Sequence, residues 1–169
     1  KWLGGHGGVG LAVMAPKFLD QPPPAPGWMG APDPFDFDAT QLRLANDARR
    51  YTQSTMSYIS LRGLTVAIDE LLAIGDTAIE SHARLLATLL IDGLDGSRWA
   101  PYGTPERTLA APHIITLTPD DGDVESVVDA LRNERIVCGS RNGRIRVSIA
   151  HFCDENDIRA LLAVLRNSP

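Results

Sequence analysis

The sequence predicts an α/β chain that closes in an α+β lobe, with helices on one side of a mainly antiparallel sheet. Three observations carry this. Apolar residues recur at helical spacing in four stretches between Ser57 and Arg166. Short runs rich in Ile, Val and Thr, too short for helices, lie between the later ones. The segment Arg141-Asn142-Gly143 separates two such runs and carries the residues a tight hairpin needs.

The elements follow in chain order. Lys1 to Gly10 reads KWLGGHGGVG, a flexible loop feeding the apolar stretch Val9 to Ala15. That stretch is bounded by Gly and Pro and predicts a strand. Gln21 to Pro34 (QPPPAPGWMGAPDP) is too rich in proline for helix or central strand, so it predicts an ordered surface loop or a lid. Its aromatic features, Gly27-Trp28-Met29-Gly30 and then Phe35-Asp36-Phe37, predict a packed loop. Asp33, Asp36 and Asp38 have the placement of turn and capping residues.

From Ser57 the period becomes helical. Leu61, Leu64, Ala67, Ile68, Leu71 and Leu72 share a face, and Gly75 is the stop. Asp76 is expected to cap a second helix, with Ile79, Ala83, Leu86 and Leu90 inward, ending near Gly93. Then come a strand over His113 to Thr118, a helix over Val124 to Asn133 and a short strand at Ile136 to Cys138. After the turn lie a strand over Arg144 to Ile149 and a final helix from about Asp154 to Arg166. These elements divide the chain into residues 1–56, a connecting helix over 57–75 and a small domain over 76–169.

Composition narrows the function classes. In 169 residues, 16 Lys and Arg stand against 21 Asp and Glu, a net charge of −5. No clustered basic face for a nucleic acid is visible. The apolar run Leu85 to Ile91 is too short to span a bilayer. His6, His82, His113 and His151 lack metal-ligand spacing. Cys138 and Cys153 are neither a disulfide framework nor a CxxC pair, so a reducing cytoplasm is the expected location. The chain opens on Lys rather than Met and runs at once into a glycine-rich turn, which reads as a cut within a longer protein.

Three segments in order resemble the class-V aminotransferase family of pyridoxal 5'-phosphate (PLP) enzymes. They are the Lys1 to Gly10 segment, then Arg50-Tyr51-Thr52-Gln53-Ser54-Thr55 followed by Arg62-Gly63-Leu64, then Gly143-Arg144-Ile145-Arg146-Val147-Ser148 followed by His151-Phe152 and Asp157-Ile158. The resemblance implies the C-terminal half of a fold-type-I enzyme beginning at the cofactor lysine. Residues 1–56 would end the large PLP-binding domain, and residues 76–169 would form the small C-terminal domain. It also implies a homodimer acting on a small amino-acid substrate, with no nucleic acid or membrane partner. The family's pyridine-nitrogen aspartate, its stacking ring and most of its phosphate cup would precede Lys1, so this chain alone is expected to be inactive.

The chemistry explains these residue types. A PLP enzyme holds its cofactor as an imine on a lysine, and a lysine at its ordinary pKa of about 10.4 is a poor nucleophile until burial lowers it. Lys1 has the position for that role. Arg146 is the candidate for the substrate α-carboxylate, because a guanidinium offers a planar fork. Strand alternation puts Arg144, Arg146 and Ser148 on one face and Ile145, Val147 and Ile149 on the other. Arg144 and Arg141 are expected to face solvent. The resemblance assigns Ser54 and Thr55 to a PLP phosphate, reached across a dimer interface; capping of the next helix is an equal alternative. Trp28 matches a loop tryptophan near the phosphate in kynureninase-like members, and a packed loop anchor serves as well.

The family spans aminotransferases, desulfurases, selenocysteine lyases, kynureninases and an epimerase. Desulfurases carry a cysteine on a mobile loop ahead of the carboxylate-binding arginine. Here Cys138 ends an apolar run and leaves little room for such a loop before Arg146, while Cys153 follows it. A cysteine-independent lyase, hydrolase or aminotransferase with a kynureninase leaning is therefore expected first. A cysteine desulfurase or selenocysteine lyase comes second, and a non-catalytic dimerisation module third.

Overall fold

The computed structural model describes residues 2–38, 40–121 and 123–167. They divide into two compact units, Lys1–Leu71 and Leu72–Pro169.

The first unit is mostly irregular. Short 3₁₀ turns occur at Pro16–Phe18, Trp28–Gly30 and Ala48–Tyr51 before helix α1, Tyr58–Ile74. The strand expected over Val9 to Ala15 does not form. A strand exists only where its N–H and C=O groups meet a neighbour's, and no other strand lies in this unit among the described residues. Its apolar side chains stay uncovered, Leu11 at 62% exposure and Val13 at 99%.

The Pro-rich loop is packed by backbone contacts. Ala45 N donates to Gly30 O at 2.8 Å, and Gln53 Nε2 to Ala25 O at 3.1 Å. The Tyr51 hydroxyl donates to Phe18 O at 2.6 Å, and Arg50 Nη1 to Gln21 O at 3.4 Å. Asp33 and Asp38 accept from the backbone N–H two residues on, as turn residues do. Helix α1 is met by the glycine segment. A Cβ on Gly5 would lie 2.9 Å from Leu64 Cδ1, and one on Gly63 would lie 3.3 Å from His6 Cδ2. Ser60 Oγ donates to Gly7 O at 3.3 Å. The Gly63-Leu64 step is thus where the segment after Lys1 crosses the helix.

The second unit is the α+β lobe. Helix α2 (Asp76–Gly93) leads through β1 (Trp99–Pro101) and the short α3 (Pro105–Leu109) to β2 (Ile114–Pro119) and α4 (Val124–Asn133). Then come β3 (Gly139–Arg141), β4 (Arg144–Ser148) and α5 (Glu155–Asn167). The sheet order is β1-β2-β4-β3 and every neighbouring pair is antiparallel. Ile115, Leu117, Ile145 and Val147 on one face are buried with Leu86, Leu90, Val127, Leu131, Ile158 and Leu165 of α2, α4 and α5.

Several local readings are corrected. Asp76 sits in the first turn of α2, and the cap position belongs to Gly75 at φ 88; only glycine readily takes that left-handed φ between two helices. The strand placed at Ile136 to Cys138 lies three residues later, at Gly139–Arg141. Arg135, at φ 63, turns the chain after α4, so residues 136–138 are spent reaching the sheet. The hairpin falls where expected, with Asn142 at φ 51 and Gly143 at φ 67, the two positive values of a type I′ turn. His82 Nε2 lies 2.8 Å from Cys153 O, joining α2 to the residues just before α5.

Candidate functional site

With its helices on one face, the second unit leaves the other face of its sheet open. Antiparallel register puts Arg146 beside Thr116 of β2 and Gly139 of β3. Arg146 is half-buried, and its guanidinium has no hydrogen-bond or ion-pair partner among the described residues. Its aliphatic stem rests on the sheet while the fork stays available, an arrangement suited to a carboxylate. A depression of about 520 Å³ is lined by Tyr102, Gly103, Thr108, Ile114 and Thr116, the last being the register neighbour of Arg146.

Arg144, on the same face, is not simply solvent-facing as expected. Its guanidinium lies 4.2 Å from the centre of the Tyr102 ring, and Nε donates to Thr118 Oγ1 at 3.3 Å. This escaped the sequence because β1 was not anticipated, and Tyr102 follows β1 directly. The arginine spacing of two was visible; its aromatic support was not. Arg141 is exposed as expected, paired with Arg144 across the hairpin.

The first unit carries the phosphate candidates. Trp28 stacks on Phe37 at 5.9 Å between ring centres, and Phe35 meets its edge at the same separation. The three rings form an aromatic cluster at the surface, with Trp28 39%, Phe35 67% and Phe37 71% exposed. Gly27 before it abuts Gln53 so closely that a Cβ would lie 1.8 Å from Gln53 O. The backbone ahead of Trp28 and the strand of chain leading to Ser54 and Thr55 are thereby locked together. Ser54 and Thr55 are exposed and neither hydroxyl is engaged among the described residues, nor does either cap α1. Lys1 lies outside the described residues.

The cysteines sit on the helix-covered side of the second unit, both partly buried against its core. Burial pushes the Cys138 thiol above its ordinary pKa, away from a reactive thiolate. His151 and Phe152 pair edge to face at 5.3 Å. Among the described residues no cluster of three or more His, Cys, Asp or Glu could hold a metal ion, and no helix is long and apolar enough to cross a membrane.

No protein-family model and no curated protein matches this sequence. Solved structures do. The apo cysteine desulfurase of Thermococcus onnurineus NA1 superposes with a TM-score of 0.74 at 20% identity, over 89% of this chain and 40% of that one. The cystine C-S lyase C-DES, in complex with its reaction product cysteine persulfide, gives 0.72 at 21% identity, over 86% and 38%. The cysteine desulfurase CsdA of Escherichia coli gives 0.69 at 15% identity, over 89% and 39%. This chain thus has the fold of the C-terminal lobe of fold-type-I PLP-dependent enzymes, an antiparallel sheet packed by helices. It spans about two fifths of the length of these structures. The activities of these proteins lie nearer the desulfurase alternative than the kynureninase leaning.

Ser54 and Thr55 are compatible with a phosphate group in one respect. The free hydroxyls of Ser54 and Thr55 are unhindered donors, the kind of group a phosphate takes.

Proposed function

We propose that the protein containing this chain is a PLP-dependent enzyme that binds an amino acid through Arg146 and breaks a bond at its β-carbon, with a sulfur leaving group and no enzyme cysteine. The observation that carries the reading is Arg146: a half-buried, unpartnered guanidinium on the open face of a sheet whose other face is core. Bound PLP would supply an electron sink for the bond broken next to the amino group. The chain's own residues do the rest. Arg146 holds the α-carboxylate by its fork and so fixes which substituent on the α-carbon is cleaved. Thr116, its register neighbour, edges the space for the side chain. Ser54 and Thr55 donate to the phosphate, and Lys1 carries the cofactor and moves the α-proton at Nζ.

The sulfur preference comes from the structural relatives, a C-S lyase and desulfurases by their own descriptions. Cys138 and Cys153 support the cysteine-free form: both lie against the core, and burial disfavours the Cys138 thiolate.

The test uses the native polypeptide that contains this chain. Borohydride reduction followed by peptide mapping should place the pyridoxyl group on Lys1; a label on Lys17 alone refutes the assignment. Arg146→Ala should keep the cofactor's visible absorbance while amino-acid binding weakens. Each charge-assisted hydrogen bond contributes roughly 1.5–3 kcal/mol, so the loss should be on the order of ten- to several-hundred-fold. Arg146→Lys should recover part of it, since an ammonium restores charge without the fork. Loss of the cofactor with unchanged substrate affinity per bound cofactor would move Arg146 out of the substrate site.

A further inference from the structure

The first unit holds a bulky ring at its surface on a strained backbone. Phe37 sits at φ 51, a left-handed conformation that a large side chain rarely takes. Burial does not offset that strain, since the side chain is 71% exposed. Its ring stacks on Trp28 and meets Phe35 edge to face, with centres 5.9 and 6.1 Å apart. Beside these rings lies a cavity of about 310 Å³, lined in part by Trp28, Phe37, Asp33, Asp36, Asp38 and Arg43. That volume suits a small molecule. Neither Ser54 nor Thr55 lines it.

Three carboxylates stand against one guanidinium in this lining, so the cavity favours positive charge. Each carboxylate already has an oxygen engaged within the loop. Asp33 Oδ1 accepts from Phe35 N at 3.0 Å, Asp38 Oδ1 accepts from Thr40 N at 2.9 Å, and Asp36 Oδ2 pairs with Arg43. The side-chain hydrogen bond from Thr40 holds the Asp38 carboxyl below its ordinary pKa. The rim therefore supplies negative potential more than free acceptors. A primary ammonium is strongly hydrated and needs acceptors for its three N–H groups. A fully alkylated ammonium needs none, and aromatic rings attract it through their quadrupole. We propose that this cavity binds a free small organic cation whose ammonium nitrogen is fully alkylated, with Trp28 and Phe37 as its aromatic wall and the carboxylates as its counter-charge. The site is independent of Arg146, which belongs to the other unit.

The test is calorimetric titration of the native holoprotein with choline, with its uncharged isostere 3,3-dimethylbutan-1-ol, and with glycine betaine, which carries a carboxylate. Choline should bind roughly five- to thirtyfold tighter than the isostere. Betaine should bind more weakly than choline, because its carboxylate meets the acidic rim. The cofactor's absorbance should stay constant; its displacement by choline would merge the cavity with the phosphate site and overturn the assignment. Phe37→Gly should lower choline affinity several-fold at an unchanged or raised melting temperature, because glycine takes φ 51 freely and the lost ring is exposed. Phe37→Leu keeps apolar contact without the ring quadrupole, so it should lower the preference over the isostere and provides the readout if the glycine variant fails to fold. Asp33→Asn, which keeps an oxygen for the Phe35 N–H, should lower that preference too. Phosphatidylcholine vesicles should compete no better than free choline; stronger competition would assign the head group to a lipid and overturn the free-ligand reading. Absence of choline binding to the parent, equal binding of choline and its isostere, or a preference that neither Phe37→Leu nor Asp33→Asn changes overturns the site.

Discussion

Gly139 stands opposite Arg146 in the β3–β4 ladder, and a side chain at that glycine would meet nothing within 4 Å. The arginine therefore has open space on one flank and Thr116 on the other. Glycine weakens a strand, lacking a side chain to pack and giving up more backbone freedom on folding. Its place here is explained by the room it leaves beside a guanidinium.

Gly139→Val should separate the two effects. The backbone there needs no left-handed φ, so a β-branched residue fits the strand and should leave the melting temperature unchanged or slightly raised. The isopropyl group would stand beside Arg146 and obstruct one approach to its fork. Amino-acid affinity should drop several-fold at constant cofactor absorbance. Unchanged affinity would mean that substrates do not approach Arg146 from the β3 side.

The lobe's three long helices and its hairpin were legible in the sequence because each has a local cause, whereas the five-residue α3 was not. Alternating burial along β4 and the Asn142-Gly143 turn follow from period and turn chemistry alone. The same patterning misplaced Val9 to Ala15, whose apolar run bounded by Gly and Pro is real but whose strand would need a partner that the described residues of this unit do not supply. It also missed β1: Trp99–Pro101 is only three residues long and ends in proline, so it exists through its pairing with β2 rather than by propensity. Arg146 was singled out by the resemblance of its segment to a carboxylate-binding motif, since strand phase alone puts it on the same face as Arg144. The support of Arg144 by Tyr102 was not legible, because those residues meet only once the sheet is assembled.

The cysteines should be dispensable for chemistry. Cys138→Ser and Cys153→Ser should each retain most turnover on the true substrate in the native protein. Because burial raises the Cys138 pKa, iodoacetamide near pH 8 should modify it more slowly than it does a free thiol. Loss of turnover in one variant with cofactor still bound, together with a persulfide trapped on that residue, would instead establish a desulfurase.

Helix α5 begins with a reciprocal cap that should make its stability acid-sensitive. Asp154 accepts from Asn156 N at 2.7 Å and Asp157 N at 3.0 Å, while Asp157 Oδ2 accepts from Asp154 N at 2.9 Å. The backbone hydrogen bond of Asp157, and with it those of Asn156, hold the Asp154 carboxyl below its ordinary pKa. A depressed carboxylate pKa contributes stability that is present above the unfolded-state value and lost as pH falls through the folded one. The parent should melt above Asp154→Ala at about pH 7, and the gap should narrow as pH drops below about 4. Asp154→Asn, which caps without titrating, should keep its own margin over the alanine variant into acid. A gap that does not change with pH would show that the carboxylate's charge contributes nothing to the cap.

The contact between Gly27 and Gln53 gives the sharpest test of the first unit. Any side chain at position 27 would overlap the Gln53 carbonyl, since even a Cβ would lie 1.8 Å from its oxygen and 2.4 Å from its carbon. Those are backbone atoms, so no rotamer change relieves the clash and the two segments must part. Overpacking of this kind typically costs about 1–3 kcal/mol. It would also free Gln53 Nε2 from Ala25 O, at 3.1 Å, and disturb the approach of Gly30 to Arg50 O, where a Cβ would lie 2.6 Å away. Trp28 sits on one of these segments and Ser54-Thr55 on the other, so Gly27→Ala should weaken cofactor retention more than Thr55→Ala, which removes only one hydroxyl. The second unit should be untouched, so protease should cut the variant first between residues 20 and 56 and leave the α5 region intact. Full cofactor retention in Gly27→Ala, with early cleavage in that loop, would show that Trp28, Ser54 and Thr55 do not hold the phosphate together. Retention without early cleavage would show that the close approach of Gly27 to Gln53 relaxes without effect.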